Sequence, residues 1–244
     1  MSRINFLNIK VDNLTMSEAI ERIDKLILKK KPSYVVTPNV DHIVKLESDI
    51  EFQEVYRDAD LILTDGMPLV WISKLKGSPI KEKVSGSDLF PKICELSAIK
   101  GYRIFLLGAA EGIADKAACK LREKYRNLNI IGSYSPSFGF ENSPEEINKI
   151  IEIINKAKPD ILAVGLGAPK QEKFLHKYKD ELNVPVSLAI GATIDFEAGN
   201  IKRAPRWMQN AGLEWSYRLL KEPKRMFKRY IIDDLNIIKL ILKY

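Results

Sequence analysis

The chain has 244 residues, 45% hydrophobic and 29% charged, a balance that excludes a disordered, collagen-like or disulfide-scaffold protein. Its formal charge of +7 sits at one end: residues 201–244 carry eleven Lys/Arg against four Asp/Glu, while the other 200 residues hold 28 bases and 28 acids. A segment of that kind attracts polyanions, namely an anionic membrane face, a phosphorylated substrate or nucleic acid. The two cysteines, Cys94 and Cys119, lie 25 residues apart without CxxC spacing, which argues against a zinc site or redox pair and fits a reducing cytoplasm. The start, MSRINFLNIKVDN, lacks the apolar region of a signal peptide, and no apolar run approaches the roughly 18 residues of a membrane span. The expectation is a cytoplasmic protein that does not cross the membrane.

Period and punctuation predict short strands that each precede a helix, the pattern of parallel strands with crossover helices. A first strand is expected over Ile4–Val11, and Thr15 with Glu18 makes a capping box before an amphipathic helix over Met16–Leu28. Strands follow at Tyr34–Thr37 and Leu61–Thr64, then a helix at Ser87–Ile99, a strand at Arg103–Leu107 and a helix at Gly112–Tyr125. The array closes with a strand at Ile130–Ser133, a helix at Ser143–Lys156 opened by Ser143-Pro144, a strand at Ile161–Val164, a helix at Pro169–Leu182 and a strand at Val186–Ile190. The fold class is therefore α/β, a Rossmann-like, mostly parallel sheet flanked by helices. Residues 1–200 form its core and 201–244 a basic helical appendage.

In an open parallel sheet the ligand lies beyond the carboxyl ends of the strands. Five such ends here carry small or polar residues: Pro38-Asn39-Val40-Asp41-His42, Asp65-Gly66, Gly108-Ala109, Gly165-Leu166-Gly167 and Gly191-Ala192-Thr193. Glycine lets a backbone approach a ligand, and a helix start offers free N–H groups and about half a positive charge to a phosphate. Gly108, Ala109, Gly165 and Gly167 are accordingly the candidate nucleotide or diphosphate loops. Neither a Walker A motif nor GxGxxG spacing is present, which argues against an ATPase and an NAD enzyme. The D-x-D at Asp58-Ala59-Asp60 precedes its strand, so it belongs on the amino edge, opposite the crevice, and no metal site is expected. Asp65 falls where a strand ends, and two readings are open: a base for a sugar hydroxyl, or a cap of the next helix. His42 is a second candidate base, and His176 a surface residue.

The segments VVTPNVDH (35–42), TDGMPLVW (64–71), VSGSDL (84–89), LLGAAEG (106–112), VGLGAPKQEKF (164–174), GATIDFEAG (191–199) and RAPRWMQNAGLEWSYRLLKEP (203–223) resemble the WecG/TagA/CpsF glycosyltransferase family. The resemblance implies inverting, metal-independent transfer of a sugar, N-acetylmannosamine or a related hexose, from a UDP donor. The acceptor it implies is a polyprenyl-diphosphate-linked sugar on the cytoplasmic membrane face. It puts the base on Asp65 and places Thr37, Asn39 and Gln171 around the pocket. It also brings Arg218, Arg225 and Lys228 of the appendage to the diphosphate. Lys83 stands where the family often has Arg, a point contact in place of a fork.

The tail has its own apolar pattern, with Ile231, Ile232, Leu235, Ile238 and Leu242 at helical spacing beside the Lys/Arg cluster. Two readings are open for this stripe: an interfacial helix on an anionic membrane, or a surface that docks on the body or on a second copy in a homo-oligomer. A non-catalytic nucleotide- or nucleic-acid-binding protein is the alternative to an enzyme, although no RNP, zinc or helix-turn-helix signature supports a nucleic-acid partner.

Overall fold

The computed structural model of the chain describes residues 3–221, 223–227 and 234–244. It begins with a hairpin, β1 (Arg3–Phe6) and β2 (Ile9–Asp12), paired antiparallel with Phe6 opposite Ile9. The single strand expected over Ile4–Val11 is thus two, because Leu7 adopts φ 50° and turns the chain. This hairpin is a separate two-stranded sheet. Its Asp12 carboxylate accepts from the Ile62 N–H at 2.9 Å, which satisfies a backbone group on the edge of the main sheet.

The elements then alternate: α1 (Met16–Lys29), β3 (Tyr34–Val36), α2 (Val40–Lys45), α3 (Ile50–Asp58), β4 (Leu61–Ile62), α4 (Met67–Leu75), α5 (Gly86–Lys100), β5 (Arg103–Gly108), α6 (Ile113–Lys124) and β6 (Asn129–Tyr134). After them come α7 (Pro144–Ala157), β7 (Ile161–Gly165), α8 (Lys170–Lys177), α9 (Lys179–Leu182), β8 (Val186–Ala189) and α10 (Thr193–Glu197). Strands β3 to β8 form one six-stranded, wholly parallel sheet in the order β4-β3-β8-β7-β5-β6. The helix expected over Pro169–Leu182 is interrupted at Tyr178 and becomes α8 and α9.

Local chemistry accounts for the elements. Thr15 accepts from the Glu18 N–H and Glu18 accepts from the Thr15 N–H, so the capping box is formed, and Ala19, Ile23, Leu26 and Ile27 are the buried face of α1. In α7, Ser143 caps and Pro144 occupies the first turn, while Ile147, Ile150 and Ile154 turn inward. Alternation along β5 splits the core into two layers: Phe105 and Leu107 join one, Ile104 and Leu106 the other. Such two-sided burial is what a parallel sheet requires, and it leaves only the strand ends for polar work.

Among the described residues the appendage consists of α11 (Arg206–Asn210), α12 (Glu214–Lys221), α13 (Pro223–Phe227), a 3-10 turn (Asp234–Asn236) and α14 (Ile237–Lys243). It folds back on the body. Leu240 is buried, with Ile237 and Ile241 packed against the same core layer as Leu46. The face carrying Leu235, Ile238 and Leu242 stays exposed, so the residues that dock are not those of the stripe read from the sequence. Ile231 and Ile232 of that stripe lie outside the described residues.

Candidate active site

At the carboxyl ends of β3, β4, β7 and β8 the loops enclose a cleft of about 710 Å³, roofed by the appendage. Thr37, Asn39, Asp65, Gly167, Gln171 and Arg218 all line it. Thr37 donates to the Ala189 carbonyl at 3.4 Å, tying the end of β3 to β8. Asn39 caps α2, its side-chain oxygen accepting from the His42 N–H at 3.3 Å. Arg218 comes from α12, and its Nε is buried with no hydrogen-bond partner among the described residues. Arg225 lies on α13 with its side chain outside the described set, and Lys228 lies outside the described residues altogether.

The Asp65 N–H donates to the Pro38 carbonyl at 2.8 Å, which joins the two loops that carry Thr37, Asn39 and Asp65. Helix α4 is entered through Gly66 at φ 106°, with no side-chain cap, so the Asp65 carboxylate is not the cap that its position allowed. Among the described residues that carboxylate makes no hydrogen bond or ion pair. Burial raises its pKa to about 6 against the pull of Lys83 and Arg203, and the negative charges of Glu214 and Asp88 push the same way as burial. A half-buried carboxylate with that affinity for protons, open to a cleft, suits general-base work. His42 is built differently. Its ring is buried, with Nδ1 2.5 Å from the Tyr56 hydroxyl and the plane edge-on to Phe52.

A chain of charges runs beside Asp65. Lys83 pairs with Asp88 at 2.7 Å, Asp88 with Arg203 at 2.7 Å, and Arg203 with Glu214 at 2.9 Å. It ties the start of α5 to the start of α12 and holds the Asp88 carboxyl far below its ordinary range. Glu214 and Trp215 bring further side chains to the cleft. Asp88, Arg203 and Glu214 lie inside the family-like motifs, but nothing local in the sequence marks them as partners. Arg203 stands 11 residues from Glu214 and 115 from Asp88, so no linear spacing signals the pairing.

The glycine loops divide. Gly167 lines the cleft at φ 80°, with open space where a Cβ would stand. Gly108, Ala109 and Gly165 do not line it. A Cβ on Gly108 would stand 2.3 Å from the Gly165 carbonyl oxygen, and one on Gly165 2.6 Å from that of Gly191. Close approach of adjacent strand ends explains both glycines without a ligand. The D-x-D is on the amino edge as expected: Asp60 accepts from the Tyr34 N–H at 3.1 Å and Asp58 meets Arg57 and His176 at 3.1 Å each. Among the described residues no three His, Cys, Asp or Glu side chains gather to hold a metal.

Residues 4–244 match the family described as Glycosyl transferase WecG/TagA/CpsF family. The chain belongs to this family. Its relatives include the N-acetylglucosaminyldiphosphoundecaprenol N-acetyl-beta-D-mannosaminyltransferase of Bacillus subtilis (strain 168), 32% identical over 219 residues, which are 89% of this chain and 83% of the relative. The protein of the same name from Bacillus spizizenii is 32% identical over 216 residues, 88% and 81% of the two chains. That from Staphylococcus aureus (strain MW2) is 26% identical over 227 residues, 92% and 87%. As a WecG/TagA/CpsF protein the chain is a glycosyltransferase, and the cleft with Asp65 is its candidate active site.

Proposed function

We propose that this glycosyltransferase moves N-acetylmannosamine, or a related hexose, from a UDP-sugar to N-acetylglucosamine carried on a polyprenyl diphosphate, with inversion. The observation that carries the reading is a carboxylate, Asp65, without a hydrogen-bond or ion-pair partner among the described residues, in a cleft that the appendage closes with Arg218, Glu214 and Trp215. The relatives' names supply the sugars. In the reaction an acceptor hydroxyl loses its proton to Asp65 as its oxygen attacks the anomeric carbon from the face opposite UDP. The bond from that carbon to the diphosphate oxygen breaks, and the electron pair leaves with UDP. Arg218 meets the charge that develops there; its position on the cleft and a buried Nε without a partner among the described residues support this role.

Metal independence is part of the proposal, supported by the lack of a gathered ligand set among the described residues and by the remote D-x-D. The second part is location. The described residues contain no helix long and apolar enough to cross a membrane, and we place the protein on the cytoplasmic leaflet, attached through the exposed apolar face of α14 and its basic neighbours. The test is UDP release over a panel of UDP-sugars and prenyl-diphosphate acceptors. We expect turnover with UDP-N-acetylmannosamine that excess EDTA leaves unchanged. Loss in EDTA restored by Mn²⁺ overturns metal independence, and release with no donor overturns the substrate assignment.

A further inference from the structure

Helix α8 opens with Lys170, Gln171 and Glu172 in succession, and only the first faces out. Gln171 is 4% exposed and Glu172 is 0% exposed. The Gln171 amide nitrogen donates to Glu172 Oε1 at 2.6 Å, and the Gln171 amide oxygen accepts from the Gly191 N–H at 3.2 Å. The second Glu172 oxygen, Oε2, is buried without a partner among the described residues. Burial pushes this carboxyl up to about 7, against the bond from Gln171 and the charge of Lys45, with Asp41 adding to the rise.

An ionisable group in that setting is costly, and a well-packed apolar side chain at the same place is commonly neutral or stabilising. The helix does not need it: α8 has no side-chain cap, and Phe174 and Leu175 supply its buried apolar contacts. What Glu172 does is visible at its neighbour. A glutamine amide exchanges donor and acceptor by a half-turn, and here that turn would set its NH₂ against the Gly191 N–H and its oxygen against the carboxylate. Both contacts would be lost, N–H would face N–H at Gly191 and, with Glu172 ionised, oxygen would face oxygen. One of the two amide hydrogens is engaged by Glu172, and the second remains on a residue that lines the cleft.

We infer that Glu172 is a positioning residue, locking the Gln171 amide so that it presents an N–H to an acceptor oxygen of the bound donor, on its sugar or its diphosphate. The inference rests on the glycosyltransferase reading only in taking that oxygen to belong to the UDP-sugar. Four variants test it: Glu172→Leu, Glu172→Gln, Gln171→Ala and the Glu172→Leu/Gln171→Ala double. Glu172→Leu and Gln171→Ala should each lower kcat/KM by about tenfold or more, the scale on which misplacing a positioned group is felt. The double variant should be no worse than either single, because both remove the same contact. Glu172→Gln keeps an acceptor oxygen and should stay near wild type, and Glu172→Leu should melt no lower than wild type.

The affinity for UDP alone then separates the two oxygens. If it weakens with turnover the contact is to the diphosphate, and if it holds the contact is to the sugar. Wild-type turnover in Glu172→Leu, or losses that multiply in the double variant, overturns the inference. Side-chain amide NMR reads the lock without activity. One Gln171 amide proton should be downfield and slow to exchange in wild type and Glu172→Gln, and neither in Glu172→Leu. An unchanged signal in Glu172→Leu overturns the lock. A protein that releases no UDP from any donor but shows this pattern keeps the lock and loses the substrate assignment.

Discussion

Asp65 holds a carboxylate in a position where folding makes it worse off than water would. Its pKa lies near 6 in place of 3.8, so the folded chain binds this proton more tightly than the unfolded chain does. Stability from this group is therefore present at low pH and is lost as pH rises from 3.8 through about 6. Asp65→Asn should melt higher than wild type at pH 7.5, with the gap closing below pH 4. An equal or lower melting temperature at pH 7.5 would contradict this account. The same shift sets the activity profile: kcat/KM should rise with pH and bend near 6, as Asp65 becomes available as a base. In Asp65→Asn that limb should vanish and kcat should fall by about 10² or more, with UDP affinity roughly unchanged.

At the level of elements, the cleft depends on strands β5, β7 and β8 closing on each other at their carboxyl ends. Gly108 at φ 120° sits where any Cβ would meet the Gly165 carbonyl at 2.3 Å, so Gly108→Ala must either part the two strands or twist them. The expected cost is about 3 kcal/mol or more, from overpacking added to an unfavourable φ. Gly167→Ala carries the φ penalty alone, since nothing stands within 4 Å, and should lose about 1–2 kcal/mol. Urea unfolding of the two variants measures the difference, and equal midpoints would show that strand closure does not need Gly108. Activity should move the other way for its size: Gly167 lines the cleft and Gly108 does not, so per unit of stability lost the Gly167 variant should lose more turnover.

On the scale of the whole molecule, the described part of the appendage docks through one apolar face and leaves another exposed. Ile237, Leu240 and Ile241 hold it on the body, and Lys243 forms an ion pair with Glu47 there. Ile238 and Leu242 are 54% and 84% exposed, and Leu220 and Phe227 are exposed as well. Burying an exposed side chain of that size in lipid is favourable by about 1.5–3 kcal/mol, and each nearby Lys/Arg adds about 1 kcal/mol on an anionic leaflet. Ile238→Asp with Leu242→Asp should thus weaken sedimentation with anionic liposomes at least tenfold. Turnover of a short-prenyl acceptor dispersed in detergent should be unaffected, because neither side chain lines the cleft. Binding that survives the double change places the attachment elsewhere. The wild-type interaction should also fall as salt screens the basic cluster.

Much of this protein was legible in its sequence. The capping box at Thr15 and Glu18, the Ser143-Pro144 helix start and the apolar runs of the parallel strands are local signals, each set by residues within one turn or one strand. The same runs located the strand ends and with them Asp65, while the linear motifs carried the family and, through it, the expectation for Thr37, Asn39 and Gln171. Proximity across the fold was not legible. The turn at Leu7, the strand contact that uses up Gly108 and Gly165, and the charge chain from Lys83 to Glu214 depend on which distant segments meet. The proton affinities of Asp65 and Glu172 depend on it as well, because burial and neighbouring charge set them, and both are properties of the packed chain. Periodicity reports which residues turn inward, whereas only the tertiary structure decides what they meet there.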